Sequence, residues 1–209
     1  MPSPDDSPEA GPVPFVGLTG GIAAGKSEAL AAFARLGAAT ISSDALVHEL
    51  LDDPEVRARL VERWGEEVVS DGGLDRGRVG AVVFNRADEL EWLEGVLHPL
   101  VSERVASWRR RVSGDVPVAV VEVPLLFETG MDDAFDTTVA VVAADETRAE
   151  RAGARGTELL ERRSERQLTQ EEKAARADHV IRNDGSLEEL EAQAERLMAI
   201  LAGVERGAA

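Results

Sequence analysis

Two stretches of the chain are apolar almost without a break: VPVAVVEV (Val116 to Val123) and TTVAVVAA (Thr137 to Ala144). Runs of this kind, with no polar residue at alternate positions, predict strands buried on both faces of a parallel sheet. Phe15-Val16 leads a third strand into a group of glycines, and AATISSD predicts a short strand ending at Ser42, Ser43 and Asp44. Between these the period changes. Ala29, Leu30, Ala32, Phe33 and Leu36 recur at helical spacing, and Gly37 follows where a helix C-terminal glycine is expected. From Ala45 to about Ser113 the pattern is mostly helical, with breaks at Asp53-Pro54, Asp71-Gly72-Gly73 and His98-Pro99. Arginine-rich helical sequence follows the second apolar run, then a short strand around His179-Val180-Ile181. A last amphipathic helix starts near Ser186, which forms a capping box with Glu189. Strands alternating with helices predict an α/β fold on a parallel sheet.

Composition narrows the class. A chain of 209 residues with 44% hydrophobic content is large enough for one cored domain with insertions. It has no apolar run of membrane-spanning length, so no membrane partner is expected. The first fourteen residues, MPSPDDSPEAGPVP, lack a basic start and an apolar centre and predict a disordered tail, not a signal peptide. With no cysteine there is neither a disulfide framework nor a thiolate site, and a cytoplasmic enzyme is expected. A net charge of −17 argues against nucleic acid as a partner, where a basic footprint is needed. The lysines among the 23 basic residues are Lys26 and Lys173 alone.

One of those lysines stands in GLTGGIAAGKSEAL, where Gly20-x-x-x-x-Gly25-Lys26-Ser27 fits the phosphate-binding loop pattern. In a strand–loop–helix corner, successive backbone N–H groups and the positive end of the helix converge on phosphate oxygens. Gly21, Ala23, Ala24, Gly25, Lys26, Ser27 and Glu28 are the candidate nucleotide contacts. Lys26 reaches the β- and γ-phosphates of ATP and the Ser27 hydroxyl can hold Mg²⁺. Glu28 offers its backbone N–H only, its side chain pointing away. Asp44, at the carboxyl end of the second strand, is placed either to take a proton from an attacking hydroxyl or to cap a helix beginning at Ala45. Glu122 ends the first apolar run, where an acid often orients Mg²⁺, and Glu128 is a second candidate. Arg148, Arg151, Arg155, Arg162, Arg163 and Arg166 form the one basic region. They suit either a phosphoryl group gaining charge or a solvated face paired with nearby glutamates.

VGLTGGIAAGKS, the strand ending in Asp44, LHPLV, VEVPLLFETGM, the arginine-bearing segment and ADHVIRNDGSLEEL come in an order that resembles the dephospho-CoA kinases. The resemblance runs from about Val16 to Leu197. It implies a three-layer α/β/α P-loop NTPase fold with a parallel sheet. Residues 15–203 would form a single kinase domain, with a helical CoA-binding part at about 45–113 and a lid at about 148–167. It further implies transfer of the ATP γ-phosphoryl group to the ribose 3′-hydroxyl of dephospho-CoA, the closing step of coenzyme A synthesis. Lys26, Asp44, Arg151 and Arg155 are then the catalytic candidates. Asp44 would serve as base, Arg151 and Arg155 as lid arginines, and Asn183 would lie on the adenine side.

Three positions depart from that pattern. Ala23 replaces a usual loop glycine, so this residue either keeps φ negative or accepts a less favoured angle. Ser42 stands where an acid is often found, and the lid looks short. Two rival readings remain at this level. A guanine-specific switch would carry Asn/Thr-Lys-x-Asp late in the chain, but Lys173 is followed by Ala174-Ala175. A P-loop kinase for another small hydroxyl acceptor shares the loop but not the HPL, PLLFE and NDGS set.

Overall fold

The computed structural model describes residues 13–70, 73–84, 86–112, 114–153 and 167–203. Most of the expected tail lies outside these residues, as do Arg155, Arg162, Arg163, Arg166 and most of the expected lid. The chain divides into two compact units, one from the segments up to Ile41 and from Arg111 onward, the other from Ser42–Arg110.

The first unit is a five-stranded sheet with helices. Its strands are β1 (Phe15–Gly20), β2 (Ala39–Ser42), β5 (Ala119–Glu122), β6 (Thr137–Val142) and β7 (His179–Arg182), in the order β2-β5-β1-β6-β7. β1 runs parallel to β5 and to β6, and β6 parallel to β7. The apolar runs thus take the centre of the sheet, with β1 buried along its whole length. The runs overestimate the strands: β5 starts at Ala119 rather than Val116, and β6 stops at Val142 rather than Ala144. On one face, α1 (Lys26–Arg35) and α8 (Leu187–Leu201) cover Val16, Leu18, Val120 and Val139 with Ala29, Phe33, Leu190 and Leu197. Complete burial of a side chain such as Phe33 contributes about 1.5–3 kcal/mol. α1 ends as expected, with Gly37 at φ 91° donating to Ala34 O, and Ser186 and Glu189 form the capping box that starts α8.

Two shorter helices, α6 (Asp145–Gly153) and α7 (Gln170–Arg176), follow β6. Asp178, between α7 and β7, accepts from Thr138 N and Thr138 Oγ1, both at 2.8 Å, and from Thr137 Oγ1 at 3.2 Å. These bonds, those from Thr138 foremost, hold its carboxyl below the usual carboxylate range.

The second unit contains α2 (Ser43–Leu51), α3 (Pro54–Trp64), α4 (Arg76–Phe84) and α5 (Ala87–Arg111, whose last residue is assigned to the first unit). Asp53 caps α3 by accepting from Glu55 N, with Pro54 at the first position. A two-stranded antiparallel ribbon pairs β3 (Val69–Ser70) with β4 (Gly73–Leu74). The expected break at His98-Pro99 is absent, because α5 runs through it with Pro99 inside. Proline removes a hydrogen bond to the carbonyl four residues back. That residue is Gly95, which is exposed like Pro99, so water can satisfy its carbonyl. Among the described residues no helix is long and apolar enough to cross a membrane.

Candidate active site

β1 delivers the chain to Gly20, and α1 begins at Lys26, so residues 21–25 make the turn at the sheet's carboxyl edge. Ala23 takes φ 59°. The alanine therefore accepts the left-handed angle in place of a negative φ, at a cost of about 1–2 kcal/mol relative to a relaxed backbone. Gly25, at φ 92°, is the N-cap of α1, and a Cβ there would stand 2.0 Å from Asn183 Nδ2. Glycine is required at this position by both angle and space.

Side chains from distant elements hold the turn by its backbone. Asn183, 6% exposed, donates through Nδ2 to Ala24 O at 2.9 Å. Arg148 Nε donates to Ile22 O at 2.9 Å and pairs through NH1 with Asp145 at 2.9 Å. Arg151 NH1 donates to Asn183 O at 3.2 Å. Lys26 Nζ, from the first residue of α1, donates to Gly20 O at 3.2 Å and Gly21 O at 3.0 Å. Glu28 points outward and pairs with Arg35 at 3.1 Å.

β5 ends beside β1, with Glu122 in register with Leu18. Its carboxylate is buried, 5% exposed, and Oε1 accepts from Ser27 Oγ at 3.4 Å. Hydroxyl and carboxylate oxygens are hard donors of the kind Mg²⁺ takes, with phosphates and water completing its octahedron. Among the described residues no group of three or more His, Cys, Asp or Glu side chains could hold a metal by itself. The residues present therefore suit a metal that arrives with a nucleotide. Glu128 is differently engaged: its Oε1 pairs with Lys173 Nζ at 2.9 Å and accepts from Leu168 N at 2.9 Å.

Asp44 belongs to the other unit. It is exposed and sits in the first turn of α2, which begins at Ser43 rather than Ala45. The N-cap position is Ser42, so the capping role considered for Asp44 does not hold. One residue, Ser43, separates Asp44 from the end of β2 at Ser42.

Lys26, Ser27, Glu122, Arg151 and Asn183 are thus brought to one corner, and Arg155 lies outside the described residues. Arg148 stands in the basic run, where nothing in the sequence separates its grip on the loop from its neighbours. Gln170 is a functional residue outside the sequence candidates: its side chain donates to Ala143 O at 2.9 Å and accepts from Ala143 N at 3.1 Å. The signal available was Thr169-x-x-Glu172, the capping box that fixes α7.

The family model described as dephospho-CoA kinase matches residues 14–189. The dephospho-CoA kinase of Symbiobacterium thermophilum is 40% identical over 202 residues, covering 92% of this chain and 83% of its own. That of Chlamydia pneumoniae is 34% identical over 194 residues, covering 90% of this chain and 96% of its own. Among solved structures, TT1252 from Thermus thermophilus superposes with a TM-score of 0.78 at 34% identity, covering 90% of this chain and 98% of its own.

Proposed function

The chain belongs to the dephospho-CoA kinase family, and from that premise we propose that it moves the γ-phosphoryl group of ATP onto the ribose 3′-hydroxyl of dephospho-CoA, yielding coenzyme A. The observation that carries this reading is the corner at residues 20–27, where a helix N-terminus, an ammonium and the Ser27–Glu122 pair meet at the end of β1. Phosphoryl transfer asks for little covalent chemistry from a protein, only positioning and neutralisation of charge.

Each residue has a part in that. The loop N–H groups and the start of α1 hold phosphate oxygens. Lys26 turns its ammonium from the loop carbonyls to the β- and γ-phosphates, neutralising charge that grows as the γ-group departs. Ser27 and Glu122 are the groups that would hold Mg²⁺ or its water, and the metal supplies charge neutralisation across the phosphates. Arg151 adds a second cation beside Gly25, and Asn183 holds both that arginine and the loop. Asp44 orients the acceptor hydroxyl and takes its proton late in transfer. The unit of residues 42–110 is the candidate platform for the CoA part of the acceptor. A cytoplasmic setting suits small soluble substrates and a cysteine-free sequence.

The test offers ATP with dephospho-CoA, pantothenate or adenosine and follows ADP release, locating the new phosphate by phosphorus NMR. Turnover with dephospho-CoA alone, and phosphate on the 3′-oxygen, is the expected result. Preferred turnover of adenosine or pantothenate would overturn the assignment.

A further inference from the structure

The chain keeps lysine at two places only. Lys26 is in the loop. Lys173, on α7, has a side chain with no exposure to solvent. A buried ammonium is strongly destabilising unless it is paired and its donors are taken. Here the three N–H donors of an ammonium meet three acceptors: Glu128 Oε1 at 2.9 Å, Pro124 O, and Thr19 Oγ1 at 3.5 Å.

The location of those acceptors gives the arrangement its meaning. Thr19 is the residue before Gly20, at the foot of the phosphate loop, and its own hydroxyl donates to Pro124 O at 3.2 Å. Pro124 and Glu128 belong to the turn that follows Glu122. Three residues earlier on α7, Gln170 holds Ala143 at the end of β6 by both its backbone groups. One helix therefore grips the carboxyl ends of β1 and β6 and the turn after β5. A guanidinium would not serve, being a planar fork where the acceptors surround a point.

We propose that Lys173 is a positioning residue for phosphoryl transfer. Its ammonium fixes the end of β1 against the turn behind Glu122, and so holds the Ser27 hydroxyl and the Glu122 carboxylate in mutual reach. The inference rests on the kinase reading of the loop and assigns part of its geometry to a residue outside it.

Removing Lys173 alone would strand a buried carboxylate whose Oε2 has no hydrogen-bond partner among the described residues, so folding and positioning must be separated. In Lys173→Met with Glu128→Gln both charges go together, and the amide oxygen can still accept from Leu168 N. We expect this pair to melt close to wild type and Lys173→Met alone to melt lower. The pair should still lose at least about 10-fold in kcat, less than the about 10²-fold that a full 1 Å misplacement can cost. The Mg²⁺ concentration for half-maximal rate should rise, and KM for dephospho-CoA should stay unchanged. Thr19→Val keeps the ion pair and the fold, and should raise the Mg²⁺ requirement with a smaller loss of kcat. Wild-type kcat and Mg²⁺ dependence in the pair, or in Thr19→Val should the pair not fold, would overturn the proposal. Mg²⁺-dependent binding of a fluorescent ATP analogue, measured with no acceptor present, reads the same geometry whatever the acceptor. An acceptor other than dephospho-CoA would therefore sink the kinase assignment while leaving this test standing.

Discussion

Glu89 in the helical unit and Glu128 in the sheet unit are both acids withdrawn from water, with unlike surroundings. Glu89 accepts from Arg63 Nε at 3.0 Å, Trp64 Nε1 at 2.8 Å and Arg86 NH2 at 2.5 Å. All are side-chain donors. Trp64 meets Trp92 edge-on at 5.2 Å, and the Arg63 guanidinium lies 5.3 Å from the Trp92 ring. The set fastens α3 to α5. Around the loop, in contrast, side chains end on backbone: Arg148 on Ile22, Asn183 on Ala24, Gln170 on Ala143, Lys173 on Pro124. A fault in the first arrangement loosens two helices. A fault in the second displaces main chain that has to fit phosphate oxygens, where small misplacements carry large rate penalties.

The largest expected effect cuts across this contrast, because Asp44 belongs to the helical unit. Asp44→Asn keeps shape but cannot take a proton, and kcat should fall about 10²–10⁴-fold with ATP affinity and melting temperature little changed. Steady-state kinetics beside a thermal melt decides it. A fully active variant would return all the chemistry to the sheet unit, with Glu122 the next acid to change. Lys26→Ala removes one charge-stabilising group and should lower kcat by about 10²–10³-fold or more, with circular dichroism unaltered. Near wild-type turnover would mean that the loop does not take part in transfer.

Asn183→Ala sharpens the contrast within the sheet unit. It leaves Ala24 O without its buried donor, which should cost about 1–3 kcal/mol in urea unfolding, and should weaken ATP binding as well. Loss of stability with unchanged ATP binding would show that the loop holds its shape without this grip.

Glu89→Gln is the counterpart and should have the smallest effect on the reaction. It should lower the melting temperature and leave kcat unchanged. The bond from the Arg63 guanidinium, then that from Trp64, holds the Glu89 carboxyl below its usual range. A carboxyl depressed in the folded state adds stability above its unfolded value, about 4.3, and loses it as pH falls through the folded value. Urea midpoints followed from about pH 6 to pH 3 should therefore decline less steeply in the variant. Parallel acid limbs would show that Glu89 does not set the acid response, leaving Asp178, Glu171 and Glu188, depressed in the same sense.

What the sequence disclosed follows the distance over which each feature is determined. The loop, Asp53-Pro54 and the Ser186–Glu189 box are fixed within a few residues, and all three stand in the structure as read. Pro99 misled because a proline penalty depends on whether the freed carbonyl meets water, a property of the assembled helix. The Val69–Leu74 ribbon escaped notice because strands of two residues carry no period. The capping alternative for Asp44 failed by two residues, since Ser42 and Ser43 offer equally good starts to a helix and α2 begins at Ser43. Lys173 and Asn183 act on residues 154 and 159 positions away, and no local pattern reports such a pairing.

The scarcity of lysine has a consequence for handling this protein. Amine-directed acylation usually scatters over many surface sites. Here one of the two side-chain amines is sealed under the sheet edge, which leaves Lys26 and the α-amino terminus to react. A mild acylating reagent thus becomes a footprint of the phosphate loop, and protection of a single peptide in a mass spectrum would measure nucleotide occupancy without any mutation or label.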